Sequence, residues 1–470
     1  MAIRSSSNIF GTPRRQAGQR EYMNDPTVKG QGKSIMRTMG QQVPRFEYAW
    51  AKLKFIKDAN IKRSMLQAWL SSDSALFTSG VEGNQDRTRW AMIPEHPTLE
   101  RQLYTPFFNL ITAILNKHLK AVKGIKRRLV DMHAKQMKHM EGHHTSPDLV
   151  IQGVGPSFGT PSDGKLVGYT NIVTYFDVKL QRELDRPESL EQMAVYARQI
   201  FVHQPNRWFV RCLLLSDRDV QLVHWDRAGL QTSEFYNIHE EYPCFVGLLV
   251  SLSNTEGEQK NIGLDDSIQW THDSAGRKVA GTMTDASSEK GKVFDLIDKN
   301  PVSQSHHIHG NATVSWAVRD RKPKVPTQTE LFVKDSWSSA GRTEEWKLLA
   351  RANDAKIKGV CKMIWHKDRR AEISQFRDGN QFFNRVFSRI VMEMYGKEIH
   401  RFTSAVQFLA ALRDAVAGRC HDFVTERTTD QQSISPWEPL WYRHPAQGHI
   451  KQDYPAWTGW GRSRRAGHFD

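Results

Sequence analysis

The hydrophobic period of the chain changes at Asp148. Before it, Leu99, Leu103, Phe107, Leu110, Ile111, Ile114 and Leu115 recur at helical spacing after Glu95-His-Pro-Thr. That broad apolar stripe predicts a helix, with Pro106 early enough to be tolerated. After it, apolar residues come in short runs separated by turn signals. Leu149–Val154 and 168–180 read as strands, 188–203 as a helix, and 207–215 and 220–226 as strands; 242–252 fits helix or strand. Helix, strand, strand, helix, strand, strand is the order of an α/β sandwich. Residues 129–144, polar and His-rich, read as a second helix or an exposed loop.

A second patterned region begins near Val302. Strands are expected at 306–319, 330–336, 359–365 and 388–394, with helices at 342–355 and 403–417. The chain therefore divides into a flexible basic arm (1–45), an α/β domain (46–255), a polar connector (256–300), a second domain (301–418) and an irregular tail (419–470). Hydrophobic residues at 39%, with 22 Phe and 14 Trp, supply real cores and exclude wholesale disorder. No run approaches the ~18 apolar residues of a membrane span, and no apolar secretory signal opens the chain. Cys212, Cys244, Cys361 and Cys420 stand far apart, which excludes a disulfide scaffold or zinc ribbon and fits a reducing compartment. The expectation is an intracellular protein, cytoplasmic or nuclear, with no membrane partner.

The charge is uneven. Residues 1–150 carry 24 Lys+Arg and 12 Asp+Glu, which is most of the chain's net +15. Lys117, Lys120, Lys123, Lys126, Arg127 and Arg128 are the densest cluster. Such a basic half suits a polyanion, nucleic acid first, although the same run also fits a solvated helix face. The clusters His133/His139/His143/His144 and His306/His307/His309 lack zinc-site spacing and are set aside.

Pro147-Asp148 precedes one strand, Asp177-Val178-Lys179 ends the next, and the following helix carries Gln192 and Gln199. Two carboxylates at neighbouring strand ends can hold Mg²⁺, which takes hard oxygen ligands and keeps several waters. Lys179 lies two residues from Asp177, hence on the same strand face, where it can position or deprotonate a water. This order resembles the PD-(D/E)xK nuclease superfamily, and the resemblance implies a further metal-binding acid, Glu100, on the upstream helix. A nuclease-like scaffold without catalysis, or a chance Asp-Val-Lys, gives the same string.

In the second domain, Lys334 ends an apolar strand and Glu345 follows eleven residues later on a helix, with Glu344 as the alternative. Tyr196-Ala-Arg-Gln-Ile-Phe, Gln204-Pro-Asn-Arg, Trp225-Asp-Arg-Ala-Gly229, Val333-Lys-Asp-Ser-Trp337 and Tyr395-Gly-Lys-Glu-Ile399 together resemble the fungal-type protein kinase family over roughly 95–420. The resemblance implies ATP-dependent Ser/Thr phosphorylation in intact relatives. It makes Lys334 the phosphate-binding lysine, Glu345 its partner, Gly310 the one glycine of the phosphate loop, Met392 the gatekeeper, and Glu393 and Met394 the hinge. With one loop glycine, ATP binding is expected to be weak or lost. Neither His-Arg-Asp nor Asp-Phe-Gly occurs, and 419–470 is too short for a kinase C-lobe of roughly 150 residues. A truncation, a shifted frame or a retained intron would account for that.

The expected fold class is thus α+β / α/β: a nuclease-like α/β sandwich followed by a truncated kinase-like N-lobe. The leading functional reading is a kinase-family protein that is catalytically dead. The alternatives are a metal-dependent nuclease or DNA-binding protein, and an inactive protein that binds protein partners. Val391, Leu409 and Leu412 are expected to be exposed where a C-lobe would sit.

Overall fold

The computed structural model describes residues 27–39, 43–73, 76–82, 85–256, 259–285, 292–321, 330–357, 359–379, 382–394 and 402–413. In chain order the first part holds α1 (Val28–Met39), α2 (Tyr48–Ala59), α3 (Arg63–Ser71), the hairpin β1 (Phe77–Glu82) and β2 (Gln85–Trp90), and α4 (Arg101–His118). There follow β3 (Lys126–Asp131), β4 (Met137–Lys138), β5 (His144–Thr145), β6 (Leu149–Val154), β7 (Ile172–Val178), α5 (Pro187–His203), β8 (Phe209–Leu215), β9 (Asp219–Asp226), β10 (Gly229–Asn237) and α6 (Tyr242–Leu252).

Six of these strands form one mixed sheet in the order β10-β9-β8-β7-β6-β3. Only β7 and β8 are parallel, and a parallel pair needs a crossover, which α5 supplies. All seven residues of β7 are buried, because both sheet faces are covered. One face packs Leu149, Ile151, Phe176 and Leu213 against α4 and α6. The other packs Val150, Tyr175, Cys212 and Trp225 against α5 and α1. Pro106 lies inside α4, whose apolar stripe from Leu103 to Leu115 is buried as the periodicity predicts, whereas Leu99 lies before the helix and is exposed.

Three expectations fail here. Residues 129–144 are neither helix nor open loop: β3 is the sheet's edge strand, and β4 and β5 make a small hairpin. The arm is not wholly flexible, since α1 is a helix that buries Ile35; residues 1–26 lie outside the described residues. Residues 256–300 are not a plain connector, because they carry β11 (Ile268–His272), β12 (Lys278–Asp285) and β13 (Lys292–Leu296). Polar residues alternate there with Ile268, Trp270, Met283, Phe294 and Leu296, the pattern of an antiparallel sheet with one dry face.

Those strands open an eight-stranded antiparallel sheet completed by β14 (Ser303–Gln304), β15 (Val314–Asp320), β16 (Glu330–Ser339), β17 (Met363–Glu372) and β18 (Arg385–Glu393). Its order is β11-β12-β13-β15-β16-β18-β17, with β14 beside β15 and α7 (Glu345–Asp354) between β16 and β17. Residues up to Met394 form one unit and Tyr395 onward a second, of which 405–413 is helical. In that segment Leu409 and Leu412 are exposed as expected, but Val391 is fully buried, because β18 is an inner strand. Residues 414–470, including Cys420, lie outside the described residues.

The two large sheets meet through buried side chains. Trp208, Phe209, Ala312, Trp337, Ala371, Ile373 and Phe387 form one apolar cluster across the joint. Beside it Arg377 donates twice to Asp226, at 2.7 and 2.8 Å, and His224 Nε2 lies 2.8 Å from the same carboxylate. A second network ties Arg389 to Asp335 at 2.7 Å, and Arg370 to Asp265 at 2.8 Å. Removing one partner strands a buried charge. Arg377→Met is therefore expected to lower the urea unfolding free energy by about 3–5 kcal/mol, and adding Asp226→Leu should recover part of the loss.

Candidate functional sites

Lys334 sits mid-strand in β16 and is buried, with its Nζ 2.9 Å from Glu345 on the first turn of α7. The side chains of a strand alternate, so Phe332, Lys334 and Ser336 share one face and Val333, Asp335 and Trp337 the other. On β18, Ile390 stands opposite Lys334 and Met392 opposite Phe332, which puts Met392 on the lysine's face. Glu344 stands just before α7 and pairs with Lys347 at 2.6 Å. The helix is further held by Trp346, stacked on His366 of β17 at 4.1 Å. Glu393 bonds Lys362 through its side chain at 2.8 Å, and its backbone N–H goes to the Lys362 carbonyl. Met394 is partly exposed at the end of the unit.

Gly310 lies in the link between β14 and β15 with φ 113°, a conformation open to glycine. Ala312 two residues on has φ 44°, so an alanine holds a left-handed position where a second glycine would be unstrained. The Gly310 N–H is not open to a ligand: it donates to the Arg227 carbonyl at 3.0 Å.

The second constellation stands at one end of the six-stranded sheet. Lys179 Nζ is 3.0 Å from Asp177 Oδ2 and 3.8 Å from Glu100 Oε1. Asp148 accepts the Val178 N–H at 2.8 Å, so its carboxylate is clamped beside the end of β7. The structure therefore gathers Glu100, Asp148, Asp177 and Lys179 from three separate elements. Both Asp177 oxygens are buried with no hydrogen bond in good geometry, although Lys179 lies close to one. Burial first, and then the charge of Asp177, push the Asp148 carboxyl up to about 8. Burial also raises Glu100 against the opposing pull of Lys179. Burial would lower Lys179, but the three carboxylates outweigh it and hold the amine above its usual range. Tyr104, which the sequence reading missed, bonds Glu100 at 3.4 Å and stacks on His133 at 4.6 Å. Its place one helical turn after Glu100 is the signal that was available.

The expected helix glutamines divide. Gln192 donates to the Tyr196 hydroxyl, which in turn bonds the Ser146 carbonyl near Asp148. Gln199 instead bonds Glu141 at 3.1 Å, away from the carboxylates. Among the described residues no set of three or more His, Cys, Asp or Glu is arranged to hold a metal ion, the His clusters included. Lys117, Lys120, Lys123, Lys126 and Arg128 are exposed between the end of α4 and edge strand β3. Arg127 instead lies over Phe158. A lysine-rich edge also blocks strand pairing with another chain, so this cluster has a structural use. Among the described residues no helix is long and apolar enough to cross a membrane.

Asp148 binds a proton in the fold at a pH where it is ionised in the unfolded chain. Stability from this group is thus full below about pH 4 and falls as pH rises toward about 8. Melting curves between those limits should be flatter for Asp148→Asn, which should be the more stable form at the alkaline end.

One family model, described as fungal protein kinase, matches residues 160–382 and 368–426. The match spans more than half of the chain's 470 residues and takes in β7, α5 and β8–β10 as well as the second sheet. No curated protein matches the chain.

Proposed function

The chain belongs to the fungal protein kinase family, and from that premise we propose that its second sheet is a nucleotide-binding lobe that does not itself transfer phosphate. The observation that carries this reading is the Lys334–Glu345 ion pair at 2.9 Å, with Met392 on the same sheet face. Lys334 would hold the nucleotide's phosphates and Glu345 would keep the amine aimed. Backbone groups of the hinge residues Glu393 and Met394, other than the Glu393 N–H held by Lys362, would meet the adenine edge. ATP brings the activated phosphoryl group, but transfer also needs an acid to orient the acceptor hydroxyl and one to hold Mg²⁺. The chain contains neither His-Arg-Asp nor Asp-Phe-Gly to supply them. ATP should raise the melting temperature of the purified chain, and Lys334→Ala should abolish that rise. Phosphate transfer to a protein substrate should stay at background in both forms; sustained turnover would overturn the reading.

A second reading, metal-dependent phosphodiester hydrolysis at the N-terminal carboxylates, is favoured by one specific observation. The two buried oxygens of Asp177 lack hydrogen bonds in good geometry, and three carboxyl groups face a single lysine, a set of hard oxygen donors that suits a cation able to displace the Asp148 proton. Mg²⁺ needs only one or two carboxylates and fills its shell with water, so Asp148 and Asp177 would suffice, with Glu100 nearby. The bound ion would supply charge stabilisation at a phosphate. Lys179 would position the water. The exposed basic residues near β3 would draw a nucleic acid to this domain. Mn²⁺ should stabilise the wild-type chain against heat and support plasmid cleavage, and Asp177→Ala should lose both effects. A protein that neither shifts nor cleaves with Mn²⁺ would leave a scaffold without catalysis.

A further inference from the structure

The segment 304–312 stands where a phosphate loop belongs, yet its bonds run into the N-terminal domain. Gln304 donates to the Val202 carbonyl at 2.9 Å, and Arg198 Nε to the His306 carbonyl at 3.0 Å. Arg227 Nη1 donates to the carbonyls of His307 and Ile308, at 3.1 and 3.2 Å. Its own carbonyl takes the Gly310 N–H. The Ile308 side chain is 2% exposed, within the core that α5 and α1 form on the first sheet. On the far side the Asn311 carbonyl accepts the Trp337 N–H at 2.8 Å, three residues beyond Lys334 on the same strand.

We propose that Arg227 is a positioning residue of the nucleotide site, through which the N-terminal domain holds the phosphate loop and competes with the nucleotide for it. This rests on the nucleotide-binding reading of Lys334. Backbone N–H groups of such a loop bind phosphate oxygens, and the Gly310 N–H is already spent on a carbonyl. For the loop to close over phosphates it must give up that bond and draw Ile308 out of the core. Apparent affinity is then reduced by the small fraction of molecules whose loop is released. By linkage, bound nucleotide loosens the same contacts.

The test uses the full chain, with a fluorescent ATP analogue to read affinity and hydrogen exchange to read the Gly310 amide. Arg227→Ala and Ile308→Ala each break a different part of the hold, so one remains informative if the other fails to fold. Both should speed exchange at Gly310 and tighten nucleotide binding about tenfold, Arg227→Ala through its two lost bonds to the loop and Ile308→Ala through lost apolar burial. Adding Lys334→Ala should abolish binding in either background. A residue with only a structural role would weaken binding together with stability. Faster exchange with unchanged or weaker binding overturns the proposal but leaves the nucleotide site standing. Unchanged exchange in both variants also overturns it, since the loop would not then be held by these groups. Failure of every form to bind the analogue overturns the loop proposal and the nucleotide site together.

Discussion

A carboxylate that has lost its water, Asp226, holds the two sheets in register. Burial alone would raise its pKa, but Arg377 and then His224 outweigh that and keep it well below the usual carboxylate range. The arginine meets it with two parallel bonds, which fix direction as well as distance. Buried ion pairs seldom add much net stability, because desolvation offsets most of the attraction. The favourable free energy at the joint comes instead from the apolar cluster around Trp208, Trp337 and Phe387, at roughly 1.5–3 kcal/mol for each large side chain buried. The cluster makes the two sheets adhere, and the charges decide how they are seated.

That division of labour passes through strand β16. On one face Asp335 and Trp337 belong to the joint, the first bonded to Arg389 and the second tilted against Phe387 with ring centroids 5.0 Å apart. On the other face, one residue away, Lys334 meets Glu345. A strand that is clamped on its inner face cannot slide by one residue without turning its lysine inward. The joint therefore also determines where the lysine points. The same holds for the segment around Gly310, whose backbone bonds are shared between the first sheet and the end of β16.

Local pattern made much of this visible. Lys334 and Glu345 were legible because a strand lysine and a helix acid eleven residues on are joined by a short connection. Asp148, Asp177 and Lys179 were legible because strand ends and the two-residue repeat bring them to one edge. The strands at 268–296 were not, since one wet face made their composition resemble a linker. The burial of Val391 was missed for a different reason. Reading β18 as an outer strand left out β17, which pairs on its far side.

Outside the N-terminal arm, 129–144 and 256–300, the sequence by itself determined most of the elements, and with them the family and the residue types that could do chemistry, because those depend on spacing within a few turns or strands. It could not determine what Arg207, Asp226 and Arg227 are for. Arg207 closes on the carbonyls of Ile172 and Val173, and Asp226 finds its arginine 151 residues away. Arg227 reaches 80 residues forward to a loop carbonyl. Motifs that read as signatures along the chain act in the fold as the seam between the two large sheets. Only the tertiary structure decides that, because a buried charge takes whichever partner the packing brings to it.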